Sequence, residues 1–224
     1  MKNRSIALGI FSFLGILLLS QLFSESACAS KGKMTVVSFR GQDISFLRRQ
    51  NKTCERGLDI FSNALQDKFS SEIILSNKVF EFNEVEDALQ WVKGVGDLGC
   101  LVSVGNSRGG VAVVKFAKEL LKDNRDVNLT VQIDSVDLPY ESTKDSRLPE
   151  NVLYGINYFV SNDVISQRLG SEQAVDGAIN LDIQSLGIKC IGSSSNCGHF
   201  NVHASSDLHD LILHEVEKTC RVVL

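Results

Sequence analysis

The sequence predicts an α/β fold, a mostly parallel sheet covered by helices on both faces, and three observations predict it. Short β-branched or apolar runs alternate with stretches of helical periodicity along most of the chain. No internal repeat and no Pro/Gly-rich linker interrupts that alternation, and the chain contains 2 prolines. A Gly-x-Ser-x-Gly pattern falls where one apolar run ends and a helical stretch begins.

Taken in order, Met34-Thr35-Val36-Val37-Ser38-Phe39 reads as a strand that ends in a turn at Arg40-Gly41-Gln42. Cys54, Leu58, Phe61, Leu65 and Phe69 recur at helical spacing, so one face of a helix is apolar. Residues 71–75 read as a second strand. Val85, Ala88, Leu89 and Val92 form the next helical stripe, which ends near Gly94. Cys100 to Val104 is apolar throughout, as befits a parallel strand buried on both faces. Residues 109–121 are helical by spacing, and 127–133 and 153–160 read as further strands. The last helix begins near Ser206, a good N-cap, and aligns Leu208, Leu211, Ile212, Val216 and Cys220 on one side.

Composition narrows the class. The 224 residues are 43% hydrophobic and 22% charged, which excludes a disordered or low-complexity chain. The formal net charge is -4 and the basic residues do not cluster beyond Arg48-Arg49, which argues against a nucleic-acid partner.

The N-terminus reads as an address. Lys2 and Arg4 precede an apolar stretch from Ile6 to Leu19, and Ala27-x-Ala29 supplies small residues before a cleavage point. Residues 1–29 are therefore expected to be a signal peptide and residues 30–224 a single domain. The apolar run is short for a membrane span, so the expectation is a secreted or periplasmic protein with no stable membrane insertion once the signal is removed. Export permits disulfides, and five cysteines follow residue 29. Cys190 and Cys197 bracket a Gly/Ser-rich loop and are expected to pair. Cys54 and Cys220, each on an apolar helical face, form a second candidate pair, while Cys100 reads as a buried thiol. No Cys-x-x-Cys spacing points to a metal.

The chemistry centres on Ser107. In Gly105-Asn106-Ser107-Arg108-Gly109 the serine occupies a sharp strand-to-helix turn, and the glycines leave room for it. Such a turn lifts the hydroxyl above the carboxyl edge of the sheet. It also presents the Arg108 N–H at a helix N-terminus, where an oxyanion is stabilised. A serine nucleophile needs a base and the base needs an orienting acid. Asp134, at the end of the strand 127–133, is the expected acid, and Asp163 is the rival. His209 and His214 belong to the last helix. His199 and His203 both lie in the loop before it, and spacing does not choose between them.

The stretch Val104 to Gly110, the strand ending at Asp134, and the C-terminal His199-x-x-Val202 … Leu208-His209-x-x-Ile212 together resemble the small α/β-hydrolase proteins related to lipases and thioesterases. That resemblance implies His199 as the base, because in such sequences the histidine is followed three residues later by an aliphatic residue. It implies a Ser107–His199–Asp134 triad, an acyl-enzyme, and oxyanion donors at Arg108 and, by position alone, Gln42. The first strand departs from the family in ending Arg40-Gly41-Gln42 instead of the His-Gly of many lipases. The polar stretch between Asp163 and Lys189 reads as lacking an amphipathic lid helix. The expected function is a serine hydrolase of carboxylic esters, with lipid, small acyl or thioester substrates, no cofactor and no metal. The alternatives are a non-catalytic binding protein on the same fold, or a peptidase or acyltransferase using the same three residues.

Overall fold

The computed structural model describes residues 32–42, 57–136, 147–169, 174–190 and 197–221. The expected signal peptide and Cys54 lie outside the described residues. Within them, β1 (Lys33–Arg40) leads to α1 (Gly57–Phe69), then β2 (Ile74–Glu81), α2 (Val85–Val95), β3 (Cys100–Asn106) and α3 (Arg108–Lys122). The chain continues through β4 (Leu129–Ile133), β5 (Gly155–Phe159), α4 (Val164–Leu169) and β6 (Ile179–Asp182). A 3₁₀ turn (Val202–Ala204) precedes the final helix, α5 (Ser206–Arg221).

The strands form one sheet in the order β2-β1-β3-β4-β5-β6, and each neighbouring pair is parallel. Val36 pairs with Asn77 on one side and Val102 on the other, and Val104 pairs in turn with Val131. Parallel pairing requires crossovers, and the helices that make them cover the sheet. Because successive strand residues face opposite ways, each central strand feeds two cores. Met34, Val36, Val102, Val104 and Val131 pack with Leu58, Phe61 and Leu65 of α1 and with Leu208, Ile212 and Val216 of α5. Val37, Phe39 and Leu101 pack with Ala88, Leu89 and Val92 of α2 and with Val113, Phe116 and Ala117 of α3. All of β3 is buried, as its unbroken apolar start predicts.

The expected α/β architecture is therefore present, with four departures in detail. The second strand runs from Ile74 to Glu81, not over 71–75. Its later residues, Ser76-Asn77-Lys78, are polar because β2 is an edge strand, while the main-chain N–H groups of Glu72 and Ile73 still bond the last carbonyl of α1, that of Phe69. Val127 stops short of β4 and makes an isolated bridge to Val152. In the polar stretch after Asp163, a six-residue helix (α4) and a four-residue edge strand (β6) form where the sequence shows no clear period.

The fourth departure concerns the cysteines. Cys190 and Cys197 are bonded, as expected. Cys220 is bonded to Cys100 and not to Cys54, so Cys100 is a buried half-cystine and not a thiol. The last turn of α5 lies over the first residue of β3, with Cα atoms 5.5 Å apart, within the span a disulfide requires.

Candidate active site

The strand order reverses direction at β1 and β3, since β1 leads on to β2 on one side and β3 leads on to β4 on the other. Open parallel sheets hold their sites at such a switch point, beyond the carboxyl ends of the strands. Ser107 stands at that position, directly after β3 and directly before α3.

Its backbone has φ 52° and ψ -126°, an unfavourable region for a residue with a side chain. The neighbours hold it there. Ser107 donates its N–H to the Ile133 carbonyl at 2.9 Å, and its own carbonyl accepts from Gly110 at 2.9 Å. The two glycines of the motif are required by space. A Cβ on Gly105 would lie 2.1 Å from the Gly109 carbonyl oxygen, and one on Gly109 would lie 2.0 Å from that of Phe39. Only bare backbone allows the strand, the turn and the helix to approach this closely.

The Ser107 hydroxyl points at a histidine. Ser107 Oγ lies 2.9 Å from His199 Nε2, and His199 Nδ1 lies 2.6 Å from Asp134 Oδ2. The carboxylate is acceptor-only, which places the imidazole proton on Nδ1 and leaves Nε2 to accept from the serine. Asp134 is 1% exposed and His199 6%, so this chain of bonds is shielded from water on the Asp134 side. Asp134 directly follows β4 at φ 44°, a left-handed conformation that aspartate tolerates better than most residues. There its Oδ1 accepts from the Val160 N–H at 3.0 Å while Oδ2 faces the ring.

The remaining candidates are distributed around this line. The Arg108 N–H opens α3 beside Ser107. Gln42 sits on the same rim, where its side-chain oxygen accepts from Arg108 Nη1 at 3.0 Å. The Arg108 guanidinium also stacks over the Phe82 ring at 4.2 Å. Gly41 brings β1's end against the turn, because a Cβ there would lie 2.8 Å from Ser107 Cβ, and its N–H donates to Asn106 Oδ1 at 3.0 Å. Arg40, just before, bonds Asp59 of α1 through Nη2 and through Nε at 3.2 Å, and Glu81 of β2 through Nη1 at 2.7 Å. The Asp59 bond above all, with Glu81, holds this guanidinium above its usual pKa against the cost of burial.

Asp163, the rival acid, does not touch the imidazole ring. It is the N-cap of α4, accepting the Ser166 N–H at 2.9 Å, and it also accepts the His199 main-chain N–H at 3.3 Å. His203, the rival base, lies in the 3₁₀ turn with its ring against Gly57, and its carbonyl accepts from His209 Nε2 at 2.8 Å. Burial holds His209 below the usual histidine pKa, and the His203 carbonyl and Asp210 oppose that shift. One neighbour of the site was not anticipated. Ser166, fully buried on α4, donates to Asp134 Oδ2 at 2.7 Å. Its signal in the sequence is faint: an Asp followed three residues later by Ser, at a helix start too short to show a period. Among the described residues, no group of His, Cys, Asp and Glu is arranged to hold a metal ion.

A parallel sheet covered on both faces, with a strained serine turn between β3 and α3 at the switch point, defines an α/β-hydrolase fold. No family model matches the chain, and no curated protein matches it. Among solved structures, the chain is similar to an arylesterase, at 9% identity and a TM-score of 0.45, over 87% of this chain and 78% of that one. It is also similar to the RedJ thioesterase of the prodiginine biosynthetic pathway in Streptomyces coelicolor, at 12% identity and a TM-score of 0.45, over 98% of this chain and 97% of that one.

Proposed function

We propose that this protein is a serine hydrolase of carboxylic esters, with Ser107 as nucleophile, His199 as general base and acid, and Asp134 as the orienting carboxylate. The observation that carries the reading is the continuous line from Ser107 Oγ to His199 Nε2 at 2.9 Å and from His199 Nδ1 to Asp134 Oδ2 at 2.6 Å. It is supported further by the strained backbone of Ser107, which holds the hydroxyl at a helix N-terminus.

In this mechanism Ser107 Oγ attacks the acyl carbon as His199 Nε2 takes its proton. Asp134 stabilises the imidazolium and keeps the ring oriented. The carbonyl oxygen becomes an oxyanion facing the main-chain N–H groups of Arg108 and Gln42, each donor worth about 3–4 kcal/mol in such a site. The tetrahedral intermediate collapses, the carbon–oxygen (or carbon–sulfur) bond breaks, and His199 returns the proton to the leaving group. Water then repeats the sequence on the Ser107 acyl ester, releasing the acid and restoring the hydroxyl. The substrates we propose are lipid or small acyl esters, thioesters included, with no cofactor.

We also propose that residues 1–29 direct export, to the periplasm or beyond, with residues 30–224 as the domain that acts there. Two buried disulfides fit an oxidising compartment. No helix among the described residues is long and apolar enough to cross a membrane.

The test is turnover of p-nitrophenyl esters from acetyl to palmitoyl by the domain, with Ser107→Ala beside it and fluorophosphonate labelling of both. Serine-dependent turnover and labelling lost in the variant support the assignment, and the chain-length profile then narrows the substrate. A folded protein that neither turns over an ester nor takes the label overturns it and leaves the fold as a binding scaffold.

A further inference from the structure

We propose that Asp163 and Ser166 form, together with Asp134, a two-carboxylate clamp on His199, and that both are positioning residues of the site. The inference rests on the functional reading above and adds two residues to it. Asp134 Oδ2 holds the imidazole ring through Nδ1 at 2.6 Å. Asp163 Oδ2 holds the main chain of the same residue, accepting the His199 N–H at 3.3 Å. Ser166 Oγ joins the two carboxylates, at 2.7 Å from Asp134 Oδ2 and 3.0 Å from Asp163 Oδ2. One residue is thus gripped at its ring and at its backbone by two acids with a common hydroxyl between them.

The surroundings fit this role. Ser166 and Asp134 are 0% and 1% exposed, so water does not compete for these bonds. The chain passes Asp163 closely just before the histidine: a Cβ on Gly198 would lie 3.0 Å from Asp163 Oδ1. A serine hydroxyl carries one proton. It therefore donates to one carboxylate at a time, and the charge that Asp134 offers to the imidazole depends on how strongly Asp163 competes for that proton. Asp134 and Asp163 thus come from two successive strand ends, after β4 and after β5, and act on one histidine through different atoms.

The simpler role for Asp163 is to cap α4, and two substitutions separate the roles. Asp163→Asn keeps an N-cap of equal quality and an acceptor oxygen, and removes the charge. Ser166→Ala keeps the main-chain N–H that the cap uses and removes only the hydroxyl. Each variant is expected to lower kcat about tenfold with KM within about twofold, because residues sharing one hydrogen-bond network are coupled by amounts of this order. The double variant is expected to lose little more than the worse single one. The low-field proton resonance of His199 Nδ1–H is expected to move in both variants, a change that capping alone does not produce. Unchanged kcat together with an unmoved resonance in Asp163→Asn overturns the clamp, as do losses that multiply in the double variant. Should Ser166→Ala fail to fold, Asp163→Asn and Gly198→Ala, which crowds Asp163 from the chain side, decide the matter by the same readings. Should wild type show no Ser107-dependent turnover, the hydrolase reading falls, and the resonance alone decides the clamp: movement in Asp163→Asn supports it and a fixed position overturns it.

Discussion

Cys220, in the last turn of α5, is bonded to Cys100, the first residue of β3, across a sequence separation of 120. The strand it anchors leads directly into Ser107, and the helix it anchors follows the loop of His199. The bond therefore ties together the two segments that deliver the proposed nucleophile and base. Closing a loop of this length removes about 5 kcal/mol of entropy-derived freedom from the unfolded chain in the chain-entropy description. Cys100→Ala/Cys220→Ala is expected to lose about 2–5 kcal/mol of stability, read as a lower urea midpoint, with an m-value that rises because the unfolded chain expands once the loop is opened. Since the site lies at the far end of β3, kcat of the folded variant is expected to match wild type. A midpoint unchanged by the double substitution would show that packing of Val216 and Ile212 against the sheet is sufficient.

The second disulfide acts locally. Cys190 and Cys197 are 7 residues apart in sequence, and Cys197 stands two residues ahead of His199. Closing so short a loop is worth about 2 kcal/mol by the same description. The larger consequence is for the histidine, whose approach to Ser107 depends on where its loop begins. Cys190→Ser/Cys197→Ser is expected to lower kcat several-fold with KM nearly unchanged, because misplacing a proton-transfer group by a fraction of an ångström affects the chemical step. Steady-state kinetics beside the Cys100/Cys220 variant provide the comparison. Full activity in this variant would mean that Asp134 and Asp163 place His199 without help.

How much of this was legible in advance depended on how local each signal was. Ser107 was legible because its glycines, the strand before it and the helix after it are all contiguous. Asp134 was legible as the residue that follows an apolar run. The choice between His199 and His203 was not, since both lie in one irregular loop and only resemblance favoured the first. The structure sets His199 against Ser107 and His203 against Gly57, a difference decided by the contacts of α1 and α4, which are distant in sequence. The partner of Cys220 is not legible in the sequence for a similar reason. Both Cys54 and Cys220 sit on apolar helical stripes, whereas Cys100 is masked within a run that reads as an ordinary buried strand. β6 leaves no clear signal in the sequence because an edge strand of four residues, Ile-Asn-Leu-Asp, need not be apolar on its outer face.

Two glycines, one beside the serine turn and one in α2, give a sharp contrast. Gly109→Ala would put a Cβ 2.0 Å from the Phe39 carbonyl oxygen and 2.8 Å from that of Arg40. Neither is a flexible side-chain end, so α3 must move away from β1. The expected cost is about 3 kcal/mol, at the upper end for overpacking, with loss of ester turnover because Arg108 moves too. Gly94, near the end of α2, has nothing within 4 Å of the corresponding position. Gly94→Ala is expected to gain about 0.5–1 kcal/mol through helix propensity and a less flexible unfolded chain. Thermal melts of the two variants check both signs at once.

Acid sensitivity should trace in part to His209. Its ring is buried, packs 5.5 Å from that of Phe61, and donates Nε2–H to the His203 carbonyl. Burial holds its pKa below the ordinary 6.5, with the carbonyl and Asp210 opposing. The sign follows from proton counting. Below about pH 6.5 the unfolded chain takes up a proton that the native state resists, so stability rises with pH in that window. The contribution is fully present above the unfolded value and is lost as pH falls from it toward the lower native value. The slope from this one group is at most about 1.4 kcal/mol per pH unit. His209→Gln retains an N–H donor for the His203 carbonyl and does not titrate. Its urea midpoint is expected to fall less steeply than that of wild type between about pH 7.5 and pH 5. All other titrating groups are common to both proteins, so their contributions cancel in the difference. A difference between the two proteins that stays constant across that range would remove His209 as a source of acid lability.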